Sequence, residues 1–135
     1  MIKFAKWSKQ QLSPFFHSVE FRCRCTESDC DTTLVDPELL NRLDAMRKIL
    51  KQSIVILGAF RCAKHQQNLR GQGKQTAIGV SQHELGKAVD LMSIGKTTEE
   101  LEKAASEAGF KSIGLARGWI HVDLRDDKDR RWKYS

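Results

Sequence analysis

At 135 residues the chain has the length of one domain with a single core. Its 40% apolar and 30% charged residues exclude a disordered or collagen-like chain, and its longest apolar run, Ile54 to Leu57, is too short to span a bilayer. The net charge of +6 is spread along the sequence, and reads either as attraction to a polyanion such as nucleic acid, membrane or anionic cell wall, or as a solvated surface of alternating charges.

The first thirty residues carry the aromatic anchors Phe4, Trp7, Phe15, Phe16 and Phe21 without a clean period, which predicts an irregular segment with short helical turns wrapped on the core. No apolar h-region precedes Lys9, so no cleavable signal peptide is expected and synthesis in the cytoplasm is. Cys23, Cys25 and Cys30, with Cys62 further on, do not follow the paired CxxC spacing of a zinc ribbon. They are open to three readings: buried free thiols, one local disulfide, or a second, structural metal held with either Cys62 or His65 as the fourth ligand.

Asp36-Pro37 is a helix start, a capping carboxylate followed by proline at the first helical position. Leu39, Leu40, Leu43, Met46, Ile49 and Leu50 then recur at helical steps, predicting a helix over 37–51. Ile54 to Leu57, ended by Gly58, predicts a short buried strand, and Ala63 to Leu69 a short helix. Arg70 to Val80, with Gly71, Gly73 and Gly79, predicts a mobile loop. A second strand is expected over Ala88 to Met92. The capping box Thr97-Thr98-Glu99-Glu100 starts a helix with Leu101, Ala104, Ala105 and Ala108 on one face and Gly109 at its end. Lys111 to Leu115 and Trp119 to Leu124 are strands joined by a loop with Gly118. The order predicts an α+β fold: a small antiparallel sheet packed by two or three helices.

Strand alternation shows where a site belongs. Ile120, Val122 and Leu124 point to one face and Trp119, His121 and Asp123 to the other; Val89 and Leu91 likewise leave Asp90 opposite. If the two strands pair, Asp90 and His121 meet on one surface, and His83 returns to them through the turn at Gly86. Gly86 and Ala88 leave room for the chain to approach the site closely. Two histidines and one aspartate suit a tetrahedral zinc with one open position, though the pattern is not H-E-x-x-H, since position 87 is lysine.

Ser81-X-His83-X2-Gly86-X-Ala88-X-Asp90, followed by His121, resembles the zinc D-Ala-D-Ala metallopeptidase family. That family includes D-alanyl-D-alanine carboxypeptidases and dipeptidases, murein endopeptidases and phage endolysins, and it shares its site geometry with the hedgehog signalling domain. Val35-Asp36-Pro37-Glu38-Leu39-Leu40, Phe60-Arg61-Cys62-X2-His65 and Ile113-Gly114-Leu115 before Trp119-Ile120-His121-Val122-Asp123 are similar to its compact phage and bacterial branch. The resemblance implies Zn2+ on His83, Asp90 and His121, with the site on one face of the sheet. It implies Arg61 in substrate binding and in stabilising negative charge, and Ser81 as a donor to the substrate's terminal carboxylate. Trp119 is positioned to wall the cleft. Many members carry an acid three residues before the second histidine, where this chain has Gly118; Asp123 is then the nearest carboxylate, as general base or as a group orienting the site.

The implied function is a peptidoglycan peptidase, carboxypeptidase or endopeptidase, of phage or prophage lysis. It would be a monomer acting on stem peptides of the wall, reached after release from the cell or in a phage particle. The alternative is a weakly active or inactive structural or wall-binding module of the same fold. No specific nucleic-acid motif is present and no membrane insertion is expected.

Overall fold

In the computed structural model, residues 1–71 and 81–134 are described, and they form three α-helices, one 3-10 turn and seven strands in an α+β arrangement. Strand β1 (Ile2–Ala5) pairs antiparallel with β2 (Thr32–Val35). β1 lies inside the stretch expected to be irregular; only Ile2 and Phe4 mark its inner face, too short a pattern to register as alternation. The expected helical turn is the 3-10 turn Ser18–Phe21. Phe16 and Phe21 are fully buried, edge to face at 5.9 Å, whereas Trp7 is 67% exposed and anchors nothing in the core.

Helix α1 (Pro37–Leu50) begins where its sequence dictates, with Asp36 accepting from the Glu38 N–H at 2.8 Å and proline in the first turn. Leu39, Leu40, Leu43, Met46 and Leu50 are buried; Ile49, expected in the stripe, is exposed. Helix α2 (Ala63–Gly71) follows, and the loop expected over residues 70–80 lies outside the described residues from 72 onward. Helix α3 (Thr98–Glu107) has its capping box in place: Thr97 Oγ1 accepts from Glu100 N at 3.1 Å and Glu100 Oε1 from Thr97 N at 3.0 Å.

The second sheet has the order β3-β4-β6-β5-β7, from β3 (Val55–Gly58), β4 (Ala88–Met92), β5 (Ser112–Leu115), β6 (Ile120–Asp123) and β7 (Arg130–Lys133). β3 is an edge strand with Val55 and Leu57 exposed, not the fully buried strand its apolar run suggests. The sheet is antiparallel except at β7, which runs parallel to β5. β7 has no alternating apolar pattern to announce it: Arg130-Arg131-Trp132-Lys133 is a charged edge of the kind that resists further strand pairing.

Leu39, Leu43 and Met46 of α1 and Leu101 and Ala105 of α3 form one core cluster with Val89, Leu91, Ile113, Ile120 and Val122 of the sheet. Burial of each such aliphatic side chain contributes about 1.5–3 kcal/mol. The core therefore takes one face of β4 and β6 and leaves the other for polar residues. No helix among the described residues is long and apolar enough to cross a membrane.

Candidate metal centre

Asp90 and His121 are directly opposite one another in the β4–β6 pair, as alternation requires. On the other side of β4 the register shifts between Ile56 and Gly58, which sets Gly58 against Asp90. A Cβ at Gly58 would lie 3.4 Å from Arg61 Nη2 and 3.9 Å from Asp90 Oδ2, ordinary contact distances, so the Arg61–Asp90 ion pair packs directly on this stretch of β3. His83 enters from a turn in which Ser81 Oγ accepts from His83 N at 3.1 Å and Gly86 N donates to His83 O at 3.2 Å. Gly86 has φ +71°, and a Cβ there would come within 2.6 Å of the Leu34 carbonyl oxygen. The room it provides lets the turn close on β2, a correction to the expectation that it serves approach to the metal site.

Three donor atoms converge. His83 Nδ1 donates to the Ala59 carbonyl at 2.7 Å, which fixes the tautomer and leaves Nε2 facing Asp90 Oδ1 at 3.4 Å. His121 Nε2 donates to Asp123 Oδ2 at 2.7 Å, and its Nδ1 lies 2.9 Å from the same Asp90 Oδ1. Asp90 Oδ2 accepts from Arg61 Nη2 at 3.0 Å. The two imidazoles are 5.1 Å apart, and the ligand atoms of His83, Asp90 and His121 all lie within 4.8 Å of one another. Two buried imidazole nitrogens and one oxygen of the partly buried Asp90, each held from behind, form a donor set that fits zinc and leaves a fourth position open.

Electrostatics follow from those partners. Burial alone would raise the Asp90 carboxyl, but hydrogen bonds from His121 and His83 outweigh it and hold Asp90 ionised well below the usual carboxylate range. Asp123 is likewise held low against its burial, by His121 and Arg125. Burial pushes His83 down, toward the neutral form a metal needs. For His121 burial pulls the same way, yet bonds to Asp123 and Asp90 win and raise it. A proton and a metal ion therefore compete for its Nδ1 lone pair.

Asp123, expected as base or orienting group, is 1% exposed. Its carboxylate is spent on His121 and on Arg125, whose Nε and Nη2 reach it at 3.0 and 2.6 Å. Gly118, where many family members have an acid, has φ +80°, and its N–H donates to Thr98 Oγ1 at 2.9 Å. Ser81 is buried and caps the His83 turn. Trp119 stacks 5.2 Å from Tyr134.

Sequence reasoning missed Arg125, Trp132 and Tyr134. The Trp132 ring lies 5.5 Å from His121 and 6.3 Å from Tyr134, with the Arg125 guanidinium 4.9 Å over it. The signal was Gly114: a Cβ there would sit 2.7 Å from both Trp132 and Tyr134, so the glycine of Ile113-Gly114-Leu115 makes room against β5 for Trp132 of β7 and for Tyr134 just after it.

The family model described as Peptidase M15 matches residues 14–123. A comparison with curated proteins finds no match. The matched span holds His83, Asp90 and His121 and ends at Asp123; Trp132 of β7 and Tyr134 lie beyond it.

Proposed function

The chain belongs to the peptidase M15 family of metal-dependent peptidases, and from that premise we propose that it is a zinc peptidase of peptidoglycan. It cuts peptide bonds of the D-amino-acid-containing stem peptides, as carboxypeptidase or endopeptidase, in the manner of a phage or prophage lysis enzyme that meets the wall after release or in a particle. The observation that carries the reading is the convergence of His83 Nε2, His121 Nδ1 and Asp90 Oδ1, each oriented by a separate partner: Ala59 O, Asp123 and Arg61. The net charge of +6 suits an anionic wall.

A zinc ion held by these three residues supplies Lewis acidity toward a scissile carbonyl and toward water. The chain's own residues do the rest. Asp123 takes the Nε2 proton's hydrogen bond, so that Nδ1 faces the metal and the imidazole becomes a stronger donor. Its full burial assigns it to positioning and not to proton transfer with solvent. Arg61, fixed to Asp90 Oδ2 at 3.0 Å, leaves Oδ1 as the oxygen that would hold the ion and places a cation at the site, where it would attract the substrate's carboxylate and the negative charge that develops on the carbonyl. Ser81 sets the His83 turn and donates its hydroxyl proton to the substrate carboxylate. Trp119 and Tyr134 wall the cleft.

A second reading, a wall-binding module with weak turnover, draws on two observations: glycine at position 118 and the burial of Asp123. Mass spectrometry of purified muropeptides incubated with the chain separates the two. Loss of a terminal D-alanine or cleavage of a cross-link, at catalytic enzyme concentrations, supports the peptidase; intact muropeptides with retained wall binding support the module.

A further inference from the structure

Three cysteines close together in sequence, Cys23, Cys25 and Cys30, are joined by a distant fourth, Cys62, the neighbour of Arg61 in the chain. The ligand sulfurs of Cys23, Cys25, Cys30 and Cys62 all lie within 4.8 Å of one another. Cys62 Sγ is 3.7 Å from Cys23 Sγ and 3.7 Å from Cys25 Sγ. A tetrahedral zinc with Zn–S bonds of about 2.3 Å separates its sulfurs by about 3.8 Å. A disulfide would need about 2.05 Å, and all four thiols are free.

The surroundings are those of a thiolate cluster. The backbone N–H of Cys62 points at Cys23 Sγ at 3.3 Å, and that of His65 at Cys62 Sγ at 3.4 Å. His65 Nδ1 lies 3.2 Å from Cys23 Sγ, placed to donate to sulfur while the four thiols complete the ligand set. Lys6 is 95% buried, an unusual place for an ammonium, and its Nζ reaches the Cys25 carbonyl at 3.0 Å and Cys25 Sγ at 3.5 Å. A buried cation against sulfur balances the net negative charge that four thiolates leave around one divalent ion. Cys23, Cys25 and Cys30 also line a surface concavity of about 730 Å3, which gives an ion its path in.

We propose that Cys23, Cys25, Cys30 and Cys62 hold a structural zinc ion, distinct from the catalytic one and closed to substrate by its four protein ligands. On binding, the four thiols give up their protons to the buffer and no redox change occurs. The site clips the loop from Cys23 to Cys30, which lacks regular secondary structure, to the segment that follows β3. That segment carries Ala59, whose carbonyl orients His83, and Arg61, which orients Asp90. An ion here would thus hold in place the Ala59 carbonyl and the Arg61 guanidinium that orient His83 and Asp90. The inference stands on the sulfur geometry and does not depend on the peptidase reading.

The test is zinc content of the purified full chain by inductively coupled plasma mass spectrometry. Wild type should hold about two zinc ions per chain, and Cys30→Ser, Cys62→Ser and His121→Ala about one each, with none in the variant that combines Cys30→Ser with His121→Ala. A single zinc in wild type that is lost in His121→Ala and kept in Cys30→Ser, or two zinc ions retained in Cys30→Ser, would overturn the proposal; so would an intact mass showing a disulfide in the freshly isolated chain. Should the cysteine variants fail to fold, wild type reconstituted with Co2+ decides. Intense sulfur-to-cobalt charge-transfer bands, retained in His121→Ala, support four-thiolate ligation; their absence refutes it. Loss of zinc from His121→Ala alone reports on the catalytic site, so the two readings fail separately.

Discussion

The two ligand clusters of this molecule are built in opposite ways. His83, Asp90 and His121 sit on or beside regular strands, and the β4–β6 register alone sets Asp90 against His121. The cysteines sit on a loop without regular structure and on the residue before α2; no named strand pair joins these segments, which meet through the bond from Phe60 N–H to the Phe21 carbonyl at 3.1 Å. In the first cluster the fold makes the site; in the second, on the proposed reading, an ion would complete the fold. Sheet geometry would preorganise a metal that keeps an open position, whereas four thiolates on one ion would contribute folding free energy where there is no strand or helix.

The comparison predicts different responses to metal loss. Removing all zinc with a chelator should abolish turnover on peptidoglycan, and zinc should restore it. Circular dichroism should show the sheet retained, with the largest amide-exchange gains in residues 22–31 and 59–62; uniform exchange across the chain would break the distinction. Next in size, Cys30→Ser should lower the melting temperature of the zinc-loaded chain by more than His121→Ala does, since a structural site contributes several kcal/mol of folding free energy. Equal losses would mean the cysteine cluster carries no such load.

Asp123→Asn should weaken zinc binding about 10–100-fold while leaving the melting temperature of the apo chain within a few degrees. It also tests the electrostatics. The bonds to Asp123 and Asp90 raise His121 above its ordinary value despite burial, so the ring stays protonated to a higher pH than a free imidazole and zinc must displace that proton. Affinity should therefore fall as pH drops through neutrality. Asp123→Asn should reduce the protons released at pH 7, read by calorimetry in buffers of different ionisation enthalpy with the cysteine site already filled. Unchanged proton release would remove Asp123 from the account. The smallest effect is a control: Thr97→Ala, at the α3 cap remote from both clusters, should cost about 1 kcal/mol and no zinc.

Much of the catalytic cluster was legible because it rests on period-two alternation, which puts Asp90 and His121 on non-core faces whatever else the fold does. The two helices with strong start signals, at Asp36-Pro37 and Thr97, were legible for the same reason: their information is local. The role of Asp123 was not. Alternation places it on the face of His121, but only the ring's orientation shows that it takes the Nε2 hydrogen bond and is sealed by Arg125. β7 was missed because charges dominate it and its partner β5 is a parallel neighbour joined through β6 and the segment after it. The cysteine cluster left three readings open because its fourth member comes 32 residues after Cys30 in sequence, and chain distance says nothing about which loop returns to it.

The central claim is that the His83–Asp90–His121 cluster binds the zinc that does the chemistry. Turnover of purified muropeptides by His121→Ala, measured by mass spectrometry on chain shown to keep its thiolate-bound ion, tests it most directly. The account predicts a folded protein with one zinc and no product above that of the chelated wild type; product at the wild-type rate would contradict it.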